Sequence, residues 1–455
     1  MIVMKFGGTS VESSDAITRV TSIVKQFEQR RPVVIVSAMG KTTNKLLAAA
    51  QEAAAGRRDQ ALGIVDELRS HHLTHGLALA GPAAADLDRF IRTHFEWLDE
   101  LVKGLSVVGE LSDRSKDAIA SVGERLSSLV VSFAFRAAGM PTQHVDSRRV
   151  IVTDDRFTQA SPLFDETYAN LAEKVRPIAE HSVVVMGGFI ASTKDGITTT
   201  LGRGGSDYSA AIVGAGINAE EIQIWTDVDG MLTADPRIMP GGHRVKSISF
   251  AEAAEMAFFG AKVLHPATVL PAVEKNIPVL ILNSKRPEVD GTRITLDAAP
   301  CANPVKSISC KRDITILNIR STRMLMAHGF LRRIFEIFDR YGTSVDMLAT
   351  SEVSVSLTLD NTENLDAIRE EVHQFAEVTV ETKQAIVCLV GENIRHTPGI
   401  AGRAFQVLAH TNVRMISQGA SLLNLGFVIS DADLTSAVAA LHKEFFSTLD
   451  PAVFA

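Results

Sequence analysis

The chain has 455 residues, of which 46% are hydrophobic and 22% charged, with a formal net charge of -7. That length exceeds one ordinary core and predicts two or three domains. The acidic balance argues against a nucleic-acid partner, which needs a basic face, but leaves room for one small anion in a local basic pocket.

Up to about Leu296, short apolar runs alternate with helical patterns. IVMKF (2–6) and PVVIVSA (32–38) are apolar on both faces, as buried parallel strands are. Between them Ile17, Val20, Ile23, Val24 and Phe27 recur at helical spacing behind a Ser-Ser-Asp start, which predicts a capped helix. Residues 44–105, rich in Ala, Leu, Glu and Arg and poor in strand formers, predict a helical insertion. VVVMGGFIA (183–191) and EIQIWTDVDG (221–230) are further strands that run into glycine or acidic loops. The pattern is that of an α/β sheet with its loops at one edge, where ligands bind. DAAPCANP (297–304) reads as a linker.

Beyond the linker a unit repeats after roughly 70 residues. ITILNIRS, GFLRRIFEIFDRYG, SVDMLAT and EVSVSLTLD lead into helix and strand patterns over 362–381. AIVCLVG, GIAGRAFQVLAHTNV, RMISQG, LGFVIS and LTSAVAALHKEFF then repeat the order. Each unit is a βαββαβ pattern. VKSISC (305–310) is an extra strand before the first unit and the second lacks a last strand, so one domain is expected to thread through the other. Cys301, Cys310 and Cys388 form no CxxC pair and predict buried free thiols in a reducing compartment. MIVMKFGG is no signal peptide, and no run reaches the ~18 apolar residues of a membrane helix. A cytoplasmic protein without membrane partners is expected.

Where would a phosphate sit? In VVIVSAMGKTTN (33–44), Gly40-Lys41-Thr42 matches the tail of a P-loop, but the glycine needed five residues earlier is Ile35, inside a strand. GAGINA (214–219) spells a dinucleotide motif but ends a helix instead of opening one. MKFGGTS (4–10) places Lys5 at a strand end, with Gly7 and Gly8 letting backbone amides approach an anion. TTTLGRGGSDYSAA (198–211) adds Arg203, a planar fork for carboxylate or phosphate, before Gly204-Gly205 and the Ser206-Asp207 helix start. Gly-Ser-Asp reads equally as a helix cap. Glu124, in VGERLSS (122–128), is an acid on an apolar helix start and needs a cationic partner such as an amino-acid ammonium. Asp227, Asp229 and Asp235 in WTDVDGMLTADPR either face a ribose or metal or serve as turn residues. Lys262 in GAKVLHP fits a site or a solvated helix end.

KFGGTS, VGERLSS, TTTLGRGGSD, WTDVDG, FGAKVLHPAT and TSEVSVSLTLD together resemble aspartokinase, of the monofunctional lysine-sensitive class, over nearly the whole chain. The resemblance implies an amino-acid-kinase fold (a mainly parallel sheet between helices) over 1–297, followed by two ACT modules, 312–383 and 305–311 plus 384–455. It implies ATP and Mg²⁺ as cofactors and L-aspartate as substrate. The product would be 4-phospho-L-aspartate, the first committed step towards lysine, threonine and methionine. Lys5 and Asp207 would be catalytic. Thr43, Glu124, Phe189, Arg203 and Ser206 would bind substrate, Glu124 taking the ammonium and Arg203 the α-carboxylate. Gly7, Gly8, Ser37, Thr226, Asp227, Arg237 and Lys262 would contact the nucleotide. No side chain is assigned as a direct metal ligand. Where some relatives carry a tyrosine, this chain has Leu232, which implies a differently packed adenine pocket. Met324, Phe330, Leu331, Ser344, Val345, Asp346, Ser351 and Glu352 match the effector positions, with lysine the expected effector. Phe330, Leu331 and Val345 also fit plain core periodicity.

The implied nucleophile is a carboxylate with a pKa of ~3.9, already ionised at neutral pH, so no general base is required. The difficulty is charge, which positioning and cations answer. The rival readings are a glutamate or acetylglutamate kinase and a silent amino-acid sensor. No dinucleotide domain is expected beyond Ala455, and association into at least a homodimer is expected.

Overall fold

The computed structural model describes residues 1–260, 264–321 and 328–455. They form two compact units, Met1–Met231 with Leu264–Ala298, and Leu232–Val263 with Ala299–Ala455.

In the first unit the strands lie in the order Thr142–His144, Val183–Gly187, Pro32–Val36, Ile2–Phe6, Glu221–Thr226, Val279–Asn283, Thr292–Thr295. All pair in parallel except the last, which runs antiparallel to its neighbour. Ile2–Phe6 and Pro32–Val36 are buried at every position, the reason both read as unbroken apolar runs. Ile2, Met4 and Phe6 point into a core shared with helices Ser14–Gln26, Arg58–Leu77, Ala84–Val108 and Asp113–Ala137. Strand alternation sends Val3 and Lys5 to the opposite face. Residues 44–105 are helical, in Thr42–Ala54, Arg58–Leu77 and Ala84–Val108. Ser13 caps Ser14–Gln26 by accepting from the Ala16 amide at 3.3 Å. Asp113–Ala137 is long and apolar enough to cross a membrane, yet most of it is packed inside the unit, so it is a core helix.

The second unit carries a six-stranded antiparallel sheet, ordered Leu348–Thr350, Ser354–Leu359, Ser307–Arg320, Glu377–Val390, Asn424–Ser430, Met415–Gln418. Its two middle strands are 14 residues each. Residues 307–311 and 312–320, expected as parts of different modules, thus run on as one strand. Asp313 and Lys383, both at φ 57°, mark the irregularity beside each expected module boundary. Residues 232–260, which the sequence places with 1–297, pack instead with 299–455. Ile308 donates its amide to the Thr233 carbonyl at 2.8 Å, and Arg244 and Ala455 exchange backbone bonds at 2.9 Å. Lys306, fully buried, ion-pairs with Glu252 at 2.9 Å, and that carboxylate also closes a capping box with Ser249. A Cβ on Gly260 would stand 2.0 Å from the Cys310 carbonyl oxygen, so only glycine fits. All three cysteines are free, Cys388 buried and Cys301 and Cys310 only partly so, less enclosed than expected.

Candidate active site

Four neighbouring parallel strands end at one edge, and their ladder continues past each strand end. Gly7 donates to the Trp225 carbonyl at 3.1 Å, Ser37 to Phe6 at 3.1 Å and Gly188 to Val36 at 2.8 Å. Ser37, Gly188-Phe189 and Thr226 are therefore set side by side at the carboxyl edge of the sheet. A cavity of about 300 Å³ opens there, lined by Lys5, Gly8, Ser37, Thr43, Glu124, Phe189, the backbone of Ala38 and Gly40, and the turn from Gly202 to Asp207 without Arg203.

Each wall follows from local sequence. Gly8 packs so tightly that a Cβ would lie 2.8 Å from the Gly40 oxygen and 3.0 Å from the Ala38 oxygen. Gly40 itself adopts φ +56° and donates to Gly8 at 3.0 Å. The Gly40-Lys41-Thr42 segment is thus a tight turn into the helix Thr42–Ala54, with Lys41 exposed, and not a phosphate nest. GAGINA ends the helix Gly205–Ile217, with Asn218 left-handed as its C-cap.

Lys5, 8% exposed, forms an ion pair with Asp207 at 2.7 Å. It meets that acid because its strand face looks towards the first turn of the helix Gly205–Ile217. Asp207 thereby fixes the ammonium at the cavity wall. Glu124 is 3% exposed and accepts one bond, from the Ala38 amide at 3.1 Å, while Oε2 has no partner among the described residues. Burial pushes its carboxyl up to about 8, against which the Ala38 bond works only partly. Gly123 and Gly187 let the helix approach the sheet, since a Cβ at either would fall 2.8 Å from Ala38 Cβ or 3.0 Å from the Glu124 oxygen.

The sequence-derived candidates divide accordingly. Lys5, Gly8, Ser37, Thr43, Glu124, Phe189, Ser206 and Asp207 come together around one cavity. Gly7 does not line it, and its amide is engaged by Trp225. Arg203 is exposed, because Gly202 at φ +73° and Gly204 at φ +72° turn the residue between them outward. Thr226 ends its strand beside Gly7 and Asp227 follows it, with the Thr226 hydroxyl donating to Asp227 at 3.4 Å. Asp229 is held by Asn283 and Arg286, as a turn residue would be. Arg237 lies in the second unit and is gripped by Asp235 at 2.6 Å. Leu232 is also there, its carbonyl taking the Ser307 hydroxyl at 2.8 Å. Lys262 and Met324 lie outside the described residues. The residues sequence reasoning missed are backbone walls, Ala38 and Gly40, and the acid Asp117, which lies two helical turns before Glu124 on the same face.

Among the effector candidates, Phe330 and Val345 pack against the apolar cluster that Leu317, Ile334, Phe338, Leu357 and Ile368 form, and Phe330 meets Phe375 edge-on at 5.7 Å. Leu331, Ser344, Ser351 and Glu352 are exposed. Asp346 is paired with Lys311 at 2.7 Å, and Lys311 also reaches Asp360 at 2.6 Å. Among the described residues no three His, Cys, Asp or Glu side chains converge as metal ligands.

The family model for the amino acid kinase family matches residues 1–283, and an ACT domain model matches 387–445. Aspartokinase 1 of Arabidopsis thaliana is 39% identical over 464 residues, covering 98% of this chain and 80% of its own length. The chain belongs to the aspartokinase family. The lysine-sensitive aspartokinase 3 of Escherichia coli is 36% identical, with 98% and 99% covered. Two crystal structures of the E. coli aspartokinase III each superpose with a TM-score of 0.85 at 36% identity. One holds aspartate and ADP and covers 98% of this chain and 100% of its own; the other holds lysine and aspartate and covers 98% and 99%. An aspartate kinase with an ACT-bearing regulatory half therefore accounts for both units.

Proposed function

We propose that this aspartokinase-family enzyme transfers the γ-phosphoryl group of ATP to the side-chain carboxylate of L-aspartate. The products would be 4-phospho-L-aspartate and ADP, the reaction that commits carbon to lysine, threonine and methionine. The observation that carries this reading is the buried Glu124 oxygen, unpartnered among the described residues, in the cavity that Lys5 also lines. A substrate with an ammonium to neutralise Glu124 and a side-chain carboxylate to reach the phosphoryl group that Lys5 stabilises fits both. Thr43, Ser206 and Phe189 bound the space between them, and Arg203 would swing in from solvent to clamp the α-carboxylate.

The substrate carboxylate attacks in line without a base. Lys5, held by Asp207, stabilises charge spread over the transferring phosphoryl group. Ser37 and Gly8 place donors on the phosphate side, and Thr226 and Asp227 flank the nucleotide. With no ligand set converging among the described residues, Mg²⁺ would be held mainly by the triphosphate, drawing at most one or two carboxylates from the chain.

Lysine is the proposed effector, with Asp346 recognising its side-chain ammonium and the amides opening the helix Phe330–Arg340 taking its carboxylate. Such inhibition requires lysine to bind the low-activity state more tightly. A coupled ADP-release assay across aspartate, glutamate and acetylglutamate, with and without lysine, tests the proposal. Turnover with aspartate alone, suppressed by lysine, is expected; equal turnover with glutamate would overturn the substrate assignment. Lys5→Ala should lower the maximal rate at least ~100-fold while leaving aspartate binding mostly intact.

A further inference from the structure

Asp117 is a buried acid that does not line the cavity and pairs with no cation among the described residues. It sits in the second turn of the helix Asp113–Ala137, 1% exposed. Its carboxylate accepts three bonds: Oδ2 from the amides of Thr158 at 2.9 Å and Thr200 at 3.0 Å, and Oδ1 from the Thr200 hydroxyl at 2.6 Å. One side chain therefore ties two separate segments to the helix that carries Glu124. Thr158 is left-handed at φ 71°, a conformation a threonine adopts only under constraint.

The two segments are the supports of one cavity wall. Thr200 ends the strand Thr198–Thr200 and is followed by the turn containing Gly202, Gly204, Gly205 and Ser206. The Thr200 carbonyl accepts from Ala160 at 2.9 Å, and Leu201 donates to Phe189 at 2.9 Å. Gly202 rests against the Thr158 backbone, where a Cβ would stand 3.2 Å from the carbonyl oxygen. The path from Asp117 to the wall is thus two residues long on one side and one packed contact long on the other.

We propose that Asp117 is a positioning residue for the acceptor side of the reaction, setting the Gly202–Asp207 wall through Thr158 and Thr200 while Glu124, seven residues on, faces the acceptor directly. This rests on the reading that the wall and Arg203 bind aspartate. An acid is suited to the task because it accepts from two backbone amides and a hydroxyl at once, in a place water does not reach. An asparagine can serve nearly as well. Its carbonyl takes both amides and its amino group donates to the Thr200 hydroxyl.

The test is steady-state kinetics on full-length Asp117→Ala, Asp117→Asn, Arg203→Ala and the Asp117→Ala/Arg203→Ala pair. D117A should raise the KM for aspartate at least about tenfold, since misplacement by about 1 Å costs up to ~100-fold in kcat/KM. The KM for ATP should stay within about twofold, and D117N should lie within about threefold of the parent. In the double variant the losses should fall short of their product, because both act through one wall. An unchanged aspartate KM in D117A, or equal damage to both KM values, overturns the proposal. Multiplicative losses do so as well. Arg203→Ala with parental kinetics would instead refute the clamp reading, leaving Asp117 to be judged by the split between the two KM values. Should D117A fail to fold, Thr200→Val removes only the hydroxyl bond. A rise of about threefold in its aspartate KM supports the positioning role, and none overturns it.

Discussion

Glu124 offers a pH-dependent signature that can be worked out in advance. Its carboxyl stands at about 8 in the free protein, raised from 4.5 by burial. An amino-acid ammonium binds the ionised form, so the apparent dissociation constant for aspartate scales as one plus ten to the power of pKa minus pH. From pH 8 to pH 6 that factor grows from about 2 to about 100, a weakening of about 50-fold. The other charged pair lining the cavity, Lys5 with Asp207, is held by its own ion pair. Isothermal titration of aspartate at pH 6, 7 and 8, in two buffers of different ionisation enthalpy, reads both the affinity and the proton released. Close to one proton should leave per aspartate bound at pH 7, and Glu124→Gln should abolish both the slope and the release. A flat affinity across this range, or the same slope in Glu124→Gln, would refute the ammonium assignment. The sign of the stability term is opposite. The native state keeps a proton that the unfolded chain has lost above pH 4.5, so stability falls as pH rises towards 8.

Gly8→Ala pushes a methyl into two backbone oxygens and should cut kcat/KM by more than about tenfold, measured beside an intact far-ultraviolet spectrum. Lys306→Met strands the buried Glu252 carboxylate and should cost about 3–5 kcal/mol in urea unfolding, and adding Glu252→Gln should recover much of that loss. Lys311→Met removes the internal ammonium from Asp346, so half-inhibition by lysine should need severalfold less effector. An unchanged inhibition curve would show that Lys311 and the effector do not share that carboxylate.

The amino-acid sequence by itself determined the parts whose chemistry is local. Strands buried on both faces must be apolar throughout, so the parallel sheet was legible. A backbone that closes onto another backbone, as at Gly8, or that takes a positive φ, as at Gly204, favours glycine, so both turns were legible as well. A lone acid among apolar helix residues marked Glu124. Tertiary structure decided what depends on which distant segments meet. Lys5 and Asp207 are 202 positions apart and pair only because strand alternation and helix placement put them on one face. The Gly7 amide, which the sequence offers to a phosphate, instead completes the ladder to Trp225. Residues 232–260 joined the second unit because Glu252 and Thr233 find buried partners in 306–308. Asp117 left no trace in local pattern, since an acid whose three bonds come from residues 41 and 83 positions away looks like any polar residue near the start of a helix. Short-range sterics and solvation are written along the chain, whereas the satisfaction of buried polar groups is settled only when the chain closes on itself.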